Sequence, residues 1–190
     1  MIGQDVRHKD FLRRHFRDIV RGLPTRRRSR EARKAADRLA RLPVFVRAPA
    51  VAVYVARPGE MDTGPLIALC RRAGKTVLAP IVDPSTQTLR FAVWSGRGKP
   101  NVYGIPEPRT DRQSERGLGG RDLLVVPGTA FTPVGDRLGA GGGYFDRFLA
   151  RSSVQTAALA FPEQIATRLP RRPHDRRVGV VVTANRTYTP

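Results

Sequence analysis

Four of the five residues from 139 to 143 are glycines, Gly139, Gly141, Gly142 and Gly143, and this cluster constrains the fold more than any other stretch of the chain. It lies between a purely apolar run, Leu123–Val126, and a segment of helical spacing from about Tyr144 to Ala150. A short apolar run without polar alternation reads as a central strand buried on both faces of a parallel sheet. In open α/β sheets ligands sit beyond the carboxyl ends of such strands. Glycines let main-chain N–H groups approach a phosphate closely, and the start of the following helix adds partial positive charge. Arg137, just before the loop, offers a guanidinium suited to phosphate oxygens. Asp146, just after it, offers a hard oxygen ligand of the kind Mg²⁺ takes alongside phosphates. A flexible turn would use the same glycines, so spacing alone leaves both readings open. No Gly-Lys-Ser/Thr follows, and no G-x-G-x-x-G stands in place, so the stretch is neither a Walker loop nor a dinucleotide fingerprint.

The remaining chain supplies the elements such a loop needs. Leu12, Phe16, Ile19, Val20 and Leu23 share one helical face, which predicts a helix from about Asp5 to Arg21 ended by Gly22 and Pro24. A second helix is expected from Ser29, as N-cap, to Leu42, with Pro43 as its stop. Val51–Val55 is β-branched and bounded by prolines, and so reads as a strand. Asp62 or Thr63 can cap a helix from Pro65 to Ala73, which Gly74 ends. Thr76–Ala79, closed by Pro80, and Leu89–Trp94 are further strands, followed by a long Gly-, Pro- and Arg-rich connection over 95–121. Thr156–Phe161 and Val178–Val182 complete five or six strands. The expected fold is α/β: a Rossmann-like three-layer α/β/α sandwich with a mainly parallel sheet, preceded by an N-terminal helical hairpin. At 190 residues the chain suits one domain, 1–190, with basic helices in 1–42 packed on it.

Thirty-five Lys and Arg oppose sixteen Asp and Glu, a net charge of +19. Fourteen basic and five acidic residues fall in 1–42, an excess of nine. Such a field attracts polyanions. The charges lie on amphipathic helices and aromatic residues are few, so solvated helix faces are expected before a nucleic-acid-binding arm. A lone cysteine, Cys70, excludes an internal disulfide framework, and no stretch is apolar enough for a signal h-region or a bilayer span. A cytoplasmic monomer with no membrane partner is expected. His8, His15 and His174 lack ligand spacing.

P-G-x-A-F at 127–131, G-x-R-L-G-x-G-G-G-Y at 135–144 and Asp146-Arg147 together resemble the signature of the 5-formyltetrahydrofolate cyclo-ligases, also called methenyltetrahydrofolate synthetases. Further matches follow in the same order: Lys9-x-x-Leu12-Arg13, Glu60-Met61-Asp62-Thr63, Gly104-Ile105-Pro106-Glu107-Pro108, Phe161-x-x-Gln164, Leu169-Pro170 and His174-Asp175. The resemblance implies an ATP-dependent ring closure with Mg²⁺ present. The formyl oxygen of 5-formyltetrahydrofolate attacks the γ-phosphate, N10 attacks the iminium phosphate, and phosphate leaves to give 5,10-methenyltetrahydrofolate. It also implies the site. Lys9 and Arg13, together with Arg137, Leu138, Gly139, Ala140, Gly141, Gly142, Gly143, Tyr144 and Phe145, would hold ATP. Val55, Glu60, Tyr103 and Tyr144 would hold the folate, Asp146 would take Mg²⁺, and Arg137 and Tyr144 would act in catalysis.

The chain departs from the family pattern at five positions. Thr132 stands where the family usually has Asp, Ala140 where it has a basic residue, Phe145 where it has a second tyrosine, Gly179 where it has Asp, and Ala184 where it has Glu. These changes are expected to gather at the site and to strip it of acids. A paralogue that binds nucleotide or folate with weakened catalysis is therefore the alternative, and a basic nucleic-acid-associated protein a further one.

Overall fold

A computed structural model describes residues 2–109 and 114–190, with side chains from residue 7 onward. Its frame is a seven-stranded sheet in the order β11-β10-β9-β6-β1-β2-β3. The strands are β1 (Ala50–Val53), β2 (Thr76–Asp83), β3 (Thr88–Val93), β6 (Leu123–Val125), β9 (Gln155–Leu159), β10 (Val180–Val182) and β11 (Thr187–Tyr188). Pairings among β2, β1, β6, β9 and β10 are parallel, and only the edge strands β3 and β11 run antiparallel. The mainly parallel α/β fold expected from the sequence is thus present, with more strands than the five or six anticipated.

Side-chain alternation divides the core into two faces. Val51 and Val53 of β1 join Val77, Leu123, Val125 and Leu159 on one face. That face is covered by α2 (Thr25–Ala40), α3 (Pro43–Val46) and α4 (Gly64–Arg72), through Ala32, Ala36, Leu39, Phe45, Leu66 and Cys70. Ala50 and Ala52 point the other way, toward Leu78, Phe91, Leu124 and Leu149 of α5 (Tyr144–Leu149). A strand buried on both sides needs small or branched residues at every position, and Ala-Val-Ala-Val satisfies this. Burial pushes the Cys70 thiol up to about 11, against a smaller opposing pull from Lys75, so the cysteine behaves as core.

The N-terminal helices follow one another through Leu23 and Pro24, but each docks on a different part of the body. In α1 (Ile2–Gly22), Leu12, Phe16 and Ile19 pack on Ala130 and Leu138 of a two-stranded ribbon, β7 (Ala130–Phe131) and β8 (Arg137–Leu138). In contrast, α2 packs on α4, β9 and β10. The charges of α2 segregate accordingly: Arg27 pairs with Glu31 and Glu163, whereas Arg26, Arg30, Arg33 and Lys34 lie outward.

Three sequence expectations are corrected. Helix α2 starts at Thr25, not Ser29: Pro24 occupies the N-cap with extended dihedrals, and its carbonyl accepts from Arg28 N. Pro80 does not close its strand, because β2 runs on to Asp83. Pairing of β2 with β1 ends at Leu78, so Pro80 lies where only β3 is paired and a missing N–H is tolerated. Within the 95–121 connection, β4 (Gly98–Pro100) and β5 (Pro106–Pro108) form a hairpin. Gly98 lies so close to Glu107 O that an added Cβ would sit 2.0 Å from it. Positions 110–113 of that connection lie outside the described residues.

Candidate active site

The sheet order turns at β1: β2 and β3 extend to one side, β6, β9 and β10 to the other. Beyond the carboxyl ends of β1 and β6, at this switch point, lies a cavity of about 710 Å³. Tyr54 and Val55 leave β1 into it, Pro127, Gly128 and Thr129 leave β6 into it, and Pro80, Val82 and Leu89 form an apolar side. Every position expected to bind ATP, folate or metal lines it, from Lys9 and Arg13 through Val55, Glu60 and Tyr103 to the run Arg137–Asp146.

The glycine loop forms one wall, and its conformation explains its composition. Gly141 has φ +115 and Gly143, the N-cap of α5, has φ +69, values that side-chain-bearing residues rarely adopt. The loop is gripped by its carbonyls. Arg13 Nε donates to Gly139 O at 2.9 Å, Arg147 Nη2 donates to Gly142 O at 2.7 Å, and Arg147 N donates to Gly143 O at 3.0 Å. Among the described residues the amides of Gly139, Ala140, Gly141, Gly142 and Gly143 donate to no protein acceptor. Five adjacent amides without a protein acceptor thus stand at the cavity wall, on a loop whose carbonyls are held by Arg13 and Arg147; successive main-chain donors of this kind are what anion-binding concavities are built from.

Arg137 is nearly sealed within that wall, its side chain 2 % exposed. Its Nη1 donates to Pro127 O at 3.0 Å and its Nη2 to Asp146 Oδ1 at 2.6 Å, while Nε has no partner. It therefore ties the strand-end loop at Pro127 to the first turn of α5, and each terminal nitrogen keeps one further proton. Lys9 and Arg13, four apart on α1, present to the same wall. Lys9 Nζ donates to Asp175 Oδ2 at 2.7 Å, and Arg13 Nη1 to Asp10 Oδ1 at 2.6 Å.

The opposite end of the cavity is built on the loop after β1. Glu60 accepts from Arg57 N at 3.0 Å and from Arg57 Nη2 at 3.1 Å. The loop is held by Tyr54, whose hydroxyl donates to Met61 O at 2.9 Å, and by Thr63, whose hydroxyl donates to Tyr54 O at 2.8 Å. Thr63 therefore occupies the N-cap of α4 without a side-chain cap bond, and Asp62 Oδ1 accepts from Gly64 N in the first turn. Tyr103, at the tip of the β4–β5 hairpin, meets Tyr144 with hydroxyl oxygens 2.9 Å apart. That contact, before any other cause, raises the Tyr144 phenol above its ordinary value. Below the tip, Glu107 Oε1 accepts from Val82 N and from Asn101 Nδ2, fastening the hairpin to β2.

Sequence reasoning gave no role to Arg57, Asn101, Arg147 or the Arg172–Asp175 turn, all of which line the cavity. Arg147 and Asp175 fall inside quoted motifs, whereas Arg57 and Asn101 carry no spacing signal. The expectation that the departures gather at the site is corrected. Ala140 and Phe145 line the cavity, but Thr132, Gly179 and Ala184 do not. Thr132 is buried in the β7–β8 turn, where its Oγ1 accepts from Asp136 N at 3.0 Å, and Gly179 N donates to Thr156 Oγ1.

No group of three His, Cys, Asp or Glu that could hold a metal occurs among the described residues. Asp146 Oδ1 is occupied by Arg137 and, at 3.4 Å, by Arg176 N, while its Oδ2 accepts no hydrogen bond among the described residues. One open carboxylate oxygen suits an ion that arrives with phosphates, since Mg²⁺ is commonly held by one or two carboxylates, water and substrate phosphates.

Residues 5–184 match the family described as the 5-formyltetrahydrofolate cyclo-ligase family. The chain is 33% identical over 179 residues to the 5-formyltetrahydrofolate cyclo-ligase of Escherichia coli strain K12, covering 91% of this chain and 98% of that protein. It is 28% identical over 193 residues to a probable 5-formyltetrahydrofolate cyclo-ligase of Caenorhabditis elegans, covering 94% of each. The solved structure of 5,10-methenyltetrahydrofolate synthetase from Aquifex aeolicus superposes with a TM-score of 0.82 at 30% identity, over 95% of this chain and 92% of that one. The Mycoplasma pneumoniae synthetase shares the fold with a TM-score of 0.72 at 18% identity, over 93% of this chain and 98% of that one.

Proposed function

The chain belongs to the 5-formyltetrahydrofolate cyclo-ligase family, and from that premise we propose that it closes the ring of 5-formyltetrahydrofolate with ATP, giving 5,10-methenyltetrahydrofolate, ADP and phosphate. The observation that carries this reading is the set of five unpartnered amides from Gly139 to Gly143 on the cavity wall. Polyphosphate supplies many acceptors at the right density for such a wall.

The formyl oxygen attacks the γ-phosphorus, and the bond to the ADP oxygen breaks. The carbon then carries phosphate, a better leaving group than oxide. N10 adds to that carbon and loses its proton, and phosphate departs with the former formyl oxygen. Phosphoryl transfer of this kind asks a protein mainly to position reactants and to neutralise charge. The amides of the glycine loop bind the triphosphate, Lys9 and Arg137 offset its charge, and Arg13 holds the loop in shape. Glu60 keeps one lone pair on each oxygen beyond its bonds to Arg57, and these accept from ring N–H groups of the pterin. Val55 packs the pterin edge, and Tyr103 and Tyr144 steady it at the cavity mouth. Val82, Leu89 and Pro80 limit water, which would otherwise hydrolyse the phosphorylated intermediate. Bound with the nucleotide, Mg²⁺ would neutralise phosphate charge, held on the protein side by Asp146.

Purified protein given 5-formyltetrahydrofolate, ATP and Mg²⁺ is expected to accumulate the methenyl product, followed as rising ultraviolet absorbance. Folded protein that binds ATP in a calorimeter yet gives no absorbance change would point to the weakened paralogue instead.

A further inference from the structure

The segment between Leu169 and Gly179 has no regular secondary structure, yet it forms part of the nucleotide end of the cavity. Two features hold it there. The turn 172–175 is closed twice, by Asp175 N donating to Arg172 O at 3.0 Å and by Arg172 N donating to Asp175 Oδ2 at 2.7 Å. The same Oδ2 accepts from Lys9 Nζ at 2.7 Å, joining residues 166 positions apart. The two side chains are only 8 % and 15 % exposed, and Lys9, Arg172, His174 and Asp175 all line the cavity.

We propose that Asp175 is a positioning residue of the nucleotide site, which fixes Lys9 Nζ at the phosphate wall before ATP arrives. The inference rests on the nucleotide reading given above. Lysine has a flexible four-carbon stem, and ordering it costs rotamer entropy. A carboxylate that already holds the ammonium removes that cost from the binding step. An ammonium has three donors and Asp175 takes one, so two remain for phosphate oxygens. The carboxylate does not stand as a bare negative charge beside ATP, because Lys9 Nζ and Arg172 N both donate to it. Burial works to raise its carboxyl, but these bonds outweigh burial and leave it below the ordinary value. The family signature quotes His-Asp here, but the wiring to Lys9 appears only when the two ends of the chain are brought together.

A double-mutant cycle tests this, with ATP affinity read by calorimetry and the KM values by turnover. Asp175→Asn keeps an acceptor for the Arg172 amide and removes the charge that holds Lys9. It is expected to weaken ATP about 10-fold while the KM for 5-formyltetrahydrofolate stays within about 2-fold. In a Lys9→Met background the same change should weaken ATP by less than about 2-fold, since the group it acts through is gone. Asp175→Glu, which keeps the charge on a longer arm, should recover part of the loss. If Asp175→Asn does not fold, Asp175→Ser, also compatible with a turn, carries the same expectations. Additive losses overturn the inference, as does a fall in folate and ATP affinity together. Wild-type protein that binds no ATP sinks the nucleotide reading and this inference with it, whereas ATP binding with an additive cycle sinks the inference alone.

Discussion

Arg137→Ala is expected to lower kcat/KM by about 10³-fold or more, equivalent to roughly 4 kcal/mol of transition-state stabilisation. Two losses combine. The most deeply buried cation of the wall disappears, and Asp146 is left as a largely buried carboxylate without its 2.6 Å partner. An unpaired acid there repels the phosphates the site must hold. The link between Pro127 O and the first turn of α5 is also cut, so the loop amides lose their common frame. Breaking a buried pair by removing one partner costs about 3–5 kcal/mol of stability, at the lower end here because Asp146 keeps some solvent contact. Melting temperature and activity must therefore be measured on the same samples. Arg137→Lys should regain part of the stability and little of the rate, because an ammonium cannot reach both acceptors with fork geometry. Near-normal turnover in Arg137→Ala would show that the guanidinium is a dispensable strut.

Glu60→Gln addresses the other end of the cavity. The amide is isosteric, and its oxygen can still accept from Arg57 N, while Tyr54 and Thr63 hold the surrounding loop independently. What is lost is one charged acceptor for ring N–H groups. A hydrogen bond to a charged group contributes about 1.5–3 kcal/mol, so the KM for 5-formyltetrahydrofolate should rise roughly 10- to 100-fold. The KM for ATP should stay within about 2-fold, because the hydrogen bonds of the Glu60 carboxylate run to Arg57 and not to the glycine loop. A parallel rise in both constants would mean that Glu60 serves the fold of the loop rather than the folate.

Much of the architecture was legible because its physical causes are local. A strand buried on both faces needs an unbroken apolar run, so Leu123–Val125 announces itself. A loop with φ above zero at Gly141 and Gly143 leaves glycines in the sequence as its mark. Where a local rule had a competitor, the sequence misled. Ser29 is a good N-cap, but the proline at 24 had already preset the start of α2. Pro80 is a strand breaker only where a second neighbour needs its N–H, and register alone decides that.

The residues that line the cavity were legible as a set, but their wiring was not. Arg13 was expected at the phosphate and does line the cavity, and its Nε also holds Gly139 O, a tie across 126 positions that residue spacing does not carry. Thr132 and Gly179 stand where the family has acids, and the fold puts both outside the cavity lining. The changes at the wall itself are Ala140 and Phe145, neither of which removes an acid.

The most direct test is an amide titration of ¹⁵N-labelled protein with a non-hydrolysable ATP analogue. Saturable shifts at Gly139, Ala140, Gly141, Gly142 and Gly143, with the outward face of α2 near Arg30 and Arg33 unmoved, are the expected result. Binding that shifts α2 and leaves those five amides in place would contradict the account.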